Sequence, residues 1–272
     1  MRQALAAGAL GLALTLGGVW FGLGDQQSDY GKPTPYGAGV SLTEPLRLGD
    51  CVLANWPGAI PFQGSPQLTV DPTCRDKAPD GQVMAVVAAG SAAEARMLGP
   101  ERCEERTRAI REKLADVRDY AVVPTWAGFE AAGRRTACLV LGAHGPVFGP
   151  LGAFRPYGMM FADATQIQLG DCLSKVGGDA TENTLYELVA CDKAHTGRVF
   201  RITHLKTFVS GEDASAEADA QCKTDAPPEE FGYSSDTYRS HGLRSKGLWS
   251  RGYYLVVCSI ERMDKAPMYG DE

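Results

Sequence analysis

The stretch LGDCV at residues 48–52 returns as LGDCL at residues 169–173. Each copy opens a series of four cysteines, and equivalent cysteines lie 121, 117, 119 and 120 residues apart. The eight are Cys51, Cys74, Cys103 and Cys138 in the first half and Cys172, Cys191, Cys222 and Cys258 in the second. A nearly constant offset is the signature of an internal repeat. The sequence therefore predicts two tandem copies of one small module, at residues 46–142 and 167–262.

Each copy shows the same order of strand and helix signals. Apolar runs at residues 83–88 and 199–205 indicate strands, and Ser91 with Glu94 forms a capping box at the start of a helix. The helix signal of the second copy covers residues 214–224, and further strand signals surround the last cysteine of each copy. Strands followed by a helix and more strands predict an α+β fold, with an antiparallel sheet and one packed helix in each copy.

An uncharged run at residues 4–23 precedes both copies. About 20 helical residues span the ~30 Å hydrocarbon core of a bilayer. Arg2 before the run and Asp25 after it predict a cytoplasmic N-terminus and an exported remainder. We expect residues 1–24 to form a transmembrane helix; the alternative is a cleaved signal peptide and a secreted protein. Residues 25–45 are expected to be a spacer, and residues 263–272 a flexible tail.

The cysteines of an exported chain are expected to form disulfides. The chain has no C-x-x-C spacing, which argues against a redox site and against a zinc ribbon. Equivalent pairing confined to each copy leaves three connectivities. We favour first-to-second and third-to-fourth pairing, because the third cysteine lies on a helix that must cover the strand of the fourth. The favoured pairs are Cys51–Cys74, Cys103–Cys138, Cys172–Cys191 and Cys222–Cys258.

These motifs resemble the septum formation domain of actinobacterial envelope proteins. The resemblance rests on Gly-Asp-Cys, on Cys-x-x-x-His-x-x-x-Val-Phe at residues 191–200, on the helix cysteine, and on Trp and Gly before the last cysteine. It covers nearly all of the exported part as two copies, although Pro79 replaces the histidine in the first. The resemblance implies a membrane-tethered envelope module linked to division or cell-wall growth. It implies no catalytic activity for any named residue.

Residues 143–166, which we call the connector, join the two copies. They are rich in glycine and proline, yet they hold six large apolar side chains: Phe148, Phe154, Tyr157, Met159, Met160 and Phe161. We expect the connector to pack against the modules. The alternative is an exposed strip that binds a partner, since large exposed apolar patches mark interaction sites.

His195 occurs in the second copy only, so it is not part of the shared architecture. Histidine can act as a base, a ligand or a pH switch. We expect a turn residue held by backbone hydrogen bonds, with a function special to the second copy as the alternative. Trp126 of the first copy and Trp249 of the second precede equivalent cysteines, and each is expected to fill the core of its own copy.

The net charge of −6 argues against binding of nucleic acid, which requires a basic surface. Nucleophile elbows, metalloprotease motifs, phosphate-binding glycine loops and calcium loops are missing from the sequence, so no cofactor is expected. We expect a membrane-anchored, non-catalytic pair of extracytoplasmic modules that binds an unidentified envelope protein or cell-wall component. The alternative is a small-ligand receptor or an enzyme with a site between the modules that includes His195.

Overall fold

The computed structural model describes residues 34–74, 79–177, 185–206 and 213–270. The predicted anchor and the first part of the predicted spacer lie outside these residues. Within the described ranges, no helix combines the length and the apolar character needed to span a bilayer.

The first module is a five-stranded antiparallel sheet with one helix. Its strands are β1 (Cys51–Asn55), β2 (Gln67–Asp71), β3 (Gly81–Ala88), β4 (Val117–Val122) and β5 (Arg135–Gly142), in the order β2-β1-β3-β5-β4. Helix α1 (Ala92–Arg111) connects β3 to β4. The backbone N–H of Glu94 donates to the Ser91 hydroxyl at 3.1 Å, so the predicted cap starts this helix.

The second module repeats this arrangement. Its strands are β6 (Cys172–Val176), β7 (Leu185–Val189), β8 (Gly197–His204), β9 (Tyr238–Arg244) and β10 (Leu255–Arg262), in the order β7-β6-β8-β10-β9. Helix α2 (Asp213–Asp225) connects β8 to β9, and a short helix α3 (Lys246–Trp249) precedes β10. The predicted α+β fold of antiparallel sheets with packed helices is confirmed.

Each module has two disulfides, and each of them joins neighbouring elements. Of the four bonds, two link the first strand of a sheet to the end of its hairpin partner, and two link the helix to the strand beneath it. The bonded pairs are Cys51–Cys74, Cys103–Cys138, Cys172–Cys191 and Cys222–Cys258.

Each sheet is covered on both faces. In β5, Cys138 and Val140 point to the side of α1, whereas the alternate residues Leu139 and Leu141 pack with Tyr36 of the N-terminal segment. Val40 and Leu46 join the same core and are also buried. Residues 34–45 are therefore not a spacer, because they supply the second cover of the first sheet.

The described part of the C-terminal tail is packed, which corrects the prediction of a flexible segment. Met268 is buried and exchanges two backbone hydrogen bonds with His195, at 2.8 and 3.1 Å. The N–H of Gly270 donates to the carbonyl of Cys191 at 2.7 Å. Residues 263–270 thus form part of the second module.

Candidate functional site

The connector is shared between the two modules. Val147 and Leu151 are buried against Val140 of β5, and the N–H of Leu151 donates to the side-chain oxygen of Gln82 at 2.6 Å. Further along, Phe161 is buried in the core of the second sheet, together with Ala164 and Ile167. The connector therefore completes the packing of both halves.

The six apolar side chains of the connector divide between the two predicted roles. Phe161 is buried, and Phe148 and Met159 are half-buried. Phe154, Met160 and Tyr157 are exposed, with 40%, 40% and 71% of their surface accessible. The three buried or half-buried side chains hold the connector in place, and the three exposed side chains face solvent.

An ion pair anchors the connector to the second Gly-Asp-Cys turn. Nη1 and Nη2 of Arg155 donate to Oδ2 and Oδ1 of Asp171 at 2.6 and 2.7 Å. Asp171 also accepts the backbone N–H of Gln168 at 2.8 Å, as Asp50 accepts that of Arg47 in the first module. The two aspartates are thus turn-capping residues, and only that of the second module has an arginine partner among the described residues.

The exposed half of the connector lies along the edge of the second sheet. Backbone hydrogen bonds of 2.9 Å join Leu188 to Met159 and Phe161 to Tyr186, so this stretch forms an antiparallel β-bridge beside β7. Met160 is opposite Glu187, and Leu185 is opposite Val176. Since alternate residues of a strand share a face, Met160, Leu185 and Val176 lie on the same face of the sheet edge as Glu187.

We call this exposed region the connector patch and define it by Met160, Val176 and Leu185 on that face together with Tyr157 in the preceding turn, all of which are exposed. Sequence reasoning identified the first two and missed the others, because Val176 and Leu185 read as ordinary strand residues. Their exposure follows from the strand register, which the sequence alone does not specify.

His195 is a buried turn residue. Its Nδ1 lies 2.9 Å from the carbonyl oxygen of Lys193, and its Nε2 has no hydrogen-bond partner in the described part of the chain. The described contacts of His195, with Lys193 and Met268, lie within the second module, and His195 lines neither of the two described cavities to which both modules contribute. The structure therefore places it outside the region between the modules.

The two tryptophans have different environments. Trp249 is buried and donates from Nε1 to the carbonyl oxygen of Leu255 at 2.8 Å, as expected of a core residue. Trp126 is 65% exposed, so the prediction that it fills the first core is wrong. Phe129, three residues later in the same turn region, is buried instead and packs on the start of α1.

A cavity of about 290 Å³ lies where the two modules meet, and we call it the junction cavity. The first module contributes the ends of β1 and β5 and the turns beside them, and the second contributes Arg251. The lining residues with polar side chains are Trp56, Asp80, His144 and Arg251.

His144 is fixed in this cavity by contacts from both modules. Its Nδ1 lies 2.7 Å from Oδ1 of Asp116, which assigns the ring proton to Nδ1. The ring stacks on Tyr253 with centroids 3.5 Å apart, and the His144 carbonyl accepts Nη1 of Arg251 at 2.9 Å. The sequence showed no local pattern around His144, because Asp116 and Tyr253 are distant along the chain.

Asp80 supplies the carboxylate of the junction cavity. Burial raises the pKa of this carboxyl group, although the backbone N–H of Ala54 and the charge of Arg251 partly oppose the shift. A half-buried carboxylate of this kind gains by contact with a cationic or hydrogen-bond-donating ligand.

A second group of polar side chains joins β7 and β9, the two edge strands of the second sheet. His241 is placed between Asp219, 2.9 Å from Nδ1, and the hydroxyl of Tyr186, 3.2 Å from Nε2. Burial raises the pKa of Tyr186 well above its ordinary value, so its hydroxyl is not an activated nucleophile. We interpret this row as a structural link between β7 and β9.

The described residues contain no group of three or more His, Cys, Asp or Glu arranged to hold a metal ion. A model of the protein family described as Septum formation matches residues 63–258. This single continuous range begins between β1 and β2 and ends in β10, so it includes most of both sheets and well over half of the chain. No curated protein and no solved structure matches the chain.

Proposed function

Because this chain belongs to the septum formation family, we propose that it acts in the cell envelope as a non-catalytic pair of modules that binds another envelope component. In this proposal residues 4–23 anchor the chain in the membrane, with the N-terminus in the cytoplasm and both modules outside. We further infer that each sheet is one copy of the family's repeating unit, in an actinobacterial protein. The partner is a protein or cell-wall component.

The observation that carries this proposal is the connector patch. Three of its exposed apolar side chains, Met160, Val176 and Leu185, share one face of the sheet edge, and the exposed Tyr157 lies in the turn just before Met160. Contiguous exposed apolar surface marks interaction sites in soluble proteins. An aromatic residue with a polar hydroxyl, such as Tyr157, is typical of interface centres.

The contacts that hold the connector patch in place favour specific binding of a partner. The Arg155–Asp171 ion pair and the backbone bonds to β7 hold the connector in one conformation. A surface ordered before association loses less conformational entropy when it binds. The four disulfides also agree with an oxidising compartment outside the cytoplasm.

Site-specific photo-crosslinking tests the proposal in cells. A photoreactive amino acid replaces Tyr157 in the full-length protein, and a matched variant carries it at Tyr269, which is 53% exposed on the C-terminal segment. We expect a discrete crosslinked envelope component from position 157 and none of the same mass from position 269. Equal products from both positions, or no product from either, would contradict binding through the connector patch.

A small-ligand receptor is the second candidate, and the junction cavity favours it. The cavity lies between the modules and contains His144, whereas the alternative hypothesis from the sequence named His195. Among the described residues, its lining includes no serine, threonine, cysteine or lysine that could act as a covalent nucleophile. Binding is therefore the activity that this cavity supports.

A further inference from the structure

Asp80 and Arg251 bring opposite charges to two walls of the junction cavity. Asp80 precedes β3 in the first module, and Arg251 follows α3 in the second. Both residues are described, and no ion pair within 4.0 Å joins them. Each charge therefore remains available for a ligand that enters between them.

The backbone holds the Asp80 carboxylate in place. The N–H of Asp80 donates to the carbonyl of Val52 at 2.9 Å, and its own carbonyl accepts the N–H of Gly142 at 2.8 Å. Its Oδ2 accepts the N–H of Ala54 at 2.7 Å. One main-chain hydrogen bond orients the carboxylate, and two more fix the backbone that carries it, so it needs little reorganisation when it binds a cation.

Arg251 is oriented from the opposite side. Its Nη1 donates to the His144 carbonyl, and its backbone N–H donates to the carbonyl of Leu248 at 2.9 Å. A side chain at Gly145 would place its Cβ 2.8 Å from Nη1, so glycine at this position leaves the space that the guanidinium occupies. The remaining guanidinium N–H groups can bind a carboxylate in a planar, two-pronged geometry.

The size and the other walls of the cavity limit what can bind. Its volume of about 290 Å³ is at the lower end of the range of roughly 300–1,000 Å³ for small-molecule sites. Trp56, Pro61 and Pro146 supply apolar surface beside the charged groups. The site thus fits a compact ligand with both charges and a short apolar part.

From this arrangement we propose that the junction cavity binds the zwitterionic centre of an amino acid, with the ammonium group on Asp80 and the carboxylate on Arg251. The inference rests on the second candidate function, the small-ligand receptor, and not on the connector patch. The same zwitterion occurs in a free amino acid and at the end of a peptide that carries an unsubstituted amino-acid centre.

Calorimetric titration of the full-length, disulfide-intact protein tests the proposal with defined probes. L-Alanine and D-alanine present the complete zwitterion, alaninamide lacks the carboxylate, and N-acetylalanine lacks the ammonium group. We expect at least one alanine enantiomer to bind, and each truncated probe to bind about tenfold more weakly or worse. That factor corresponds to the loss of one charge-assisted hydrogen bond.

Two further probes identify the source of the zwitterion. Glutamate is a free amino acid, and γ-glutamylalanine presents the same unsubstituted centre at the end of a peptide. Binding of glutamate alone assigns the site to free amino acids. Binding of both, with tighter binding of the peptide, assigns it to peptide ends.

Variants locate the binding in the junction cavity. Asp80→Asn keeps an oxygen for the Ala54 N–H and removes the charge, and Arg251→Gln removes the charge of an exposed side chain. We expect each variant to weaken binding of the alanine probe about tenfold or more. Arg106→Gln, on the exposed face of α1, is the matched control and should bind like the wild type. If Asp80→Asn fails to fold, the Arg251→Gln variant alone tests whether the probe binds in the junction cavity.

Three results would overturn the proposal. The first is that none of the four zwitterionic probes, alanine in either form, glutamate or γ-glutamylalanine, binds. The second is binding that the Arg251→Gln variant leaves unchanged. The third is binding of glucose or N-acetylglucosamine, lost in the Arg251→Gln variant, without binding of any zwitterion. That last result would support a small-ligand receptor but reject the zwitterion as its ligand. If no probe of any kind binds, both the receptor function and the proposed ligand are rejected.

Discussion

Arg155 and Asp171 form a two-pronged ion pair in which 8% and 7% of the respective side chains are exposed. The pair joins the connector to the Gly-Asp-Cys turn of the second module. Asp50 occupies the equivalent turn of the first module and caps it without an arginine partner among the described residues. The two modules therefore share a motif, and one of them uses it to attach the segment between them.

Asp171→Asn should destabilise the protein by about 3–5 kcal/mol, because it leaves the Arg155 guanidinium buried without its counter-charge. Asp50→Asn, the matched control, should cost about 1 kcal/mol or less, because asparagine can still accept the N–H of Arg47. Urea unfolding of both variants measures the difference. Equal losses of stability would mean that the ion pair adds nothing to the turn.

Trp249→Ala should cost about 3–5 kcal/mol, since it removes a buried ring and leaves the Leu255 carbonyl without its donor. Trp126→Ala should change the free energy of unfolding by no more than about 0.5 kcal/mol, because the indole is exposed. Chemical denaturation followed by far-ultraviolet circular dichroism compares the two. A large loss at position 126 would contradict the exposed position of that ring.

His241→Gln should destabilise the second module in a pH-dependent way. Burial alone would lower the pKa of His241, but the hydrogen bond to Asp219 and the charges of Glu261 and Asp219 outweigh it and raise the pKa. Burial of Asp219 is likewise outweighed by its bonds to His241 and the Gly242 N–H, so its pKa is lowered. Arg239, close to both, opposes the first shift and supports the second.

The signs of these two shifts define the pH window. The raised pKa of His241 stabilises the fold fully below its unfolded value of about 6.5, and this contribution is lost as the pH rises through the folded pKa. The lowered pKa of Asp219 stabilises above about pH 4 and is lost as the pH falls further.

The wild type should therefore exceed His241→Gln in stability by about 1.5–3 kcal/mol between pH 4 and 6.5, and by less at pH 9. Unfolding free energies measured across this range test the prediction. His204→Gln, at an exposed position, serves as the control and should show no such trend. A difference that grows with pH would contradict the assigned direction.

Gly81→Ala should be more damaging than the equivalent change Gly197→Ala. A Cβ at Gly81 would fall against the carbonyl oxygen of Val140 and 2.8 Å from Cα of Leu141, and neither backbone atom can move away easily. At Gly197 the nearest atom, 3.0 Å away, is Cγ of the flexible Glu261 side chain. We expect a loss of about 1–3 kcal/mol or more at position 81 and less than about 1 kcal/mol at position 197. Thermal unfolding of both variants provides the comparison.

The repeated LGDC motif and the spacing of the cysteines were enough to predict two modules of one kind, each with an antiparallel sheet and a packed helix. These features are local in sequence, or follow from a constant offset, so they can be read without coordinates. The Ser91 cap was predictable for the same reason, because its partner is three residues away. The connector's apolar side chains also signalled packing correctly for Phe161.

The junction cavity could not be found in this way. Its charged and aromatic groups come from residues 56, 80, 144 and 251, which only the folded chain brings together. The wrong prediction that Trp126 is buried has a related cause. An indole at an equivalent position suggests an equivalent environment, but in the first module Phe129 already occupies the space beside α1. His195 was distinctive in sequence because it lacks a counterpart, and that property does not imply exposure.

The order of the disulfides bears on how the protein acquires its native bonds. Each cysteine is bonded to its neighbour in the sequence, so the four loops follow one another and none encloses another. A chain that is oxidised as it emerges, N-terminus first, meets each correct partner before any wrong one is available. Such a chain reaches the native set of bonds without reshuffling, and its maturation makes no demand on a disulfide isomerase.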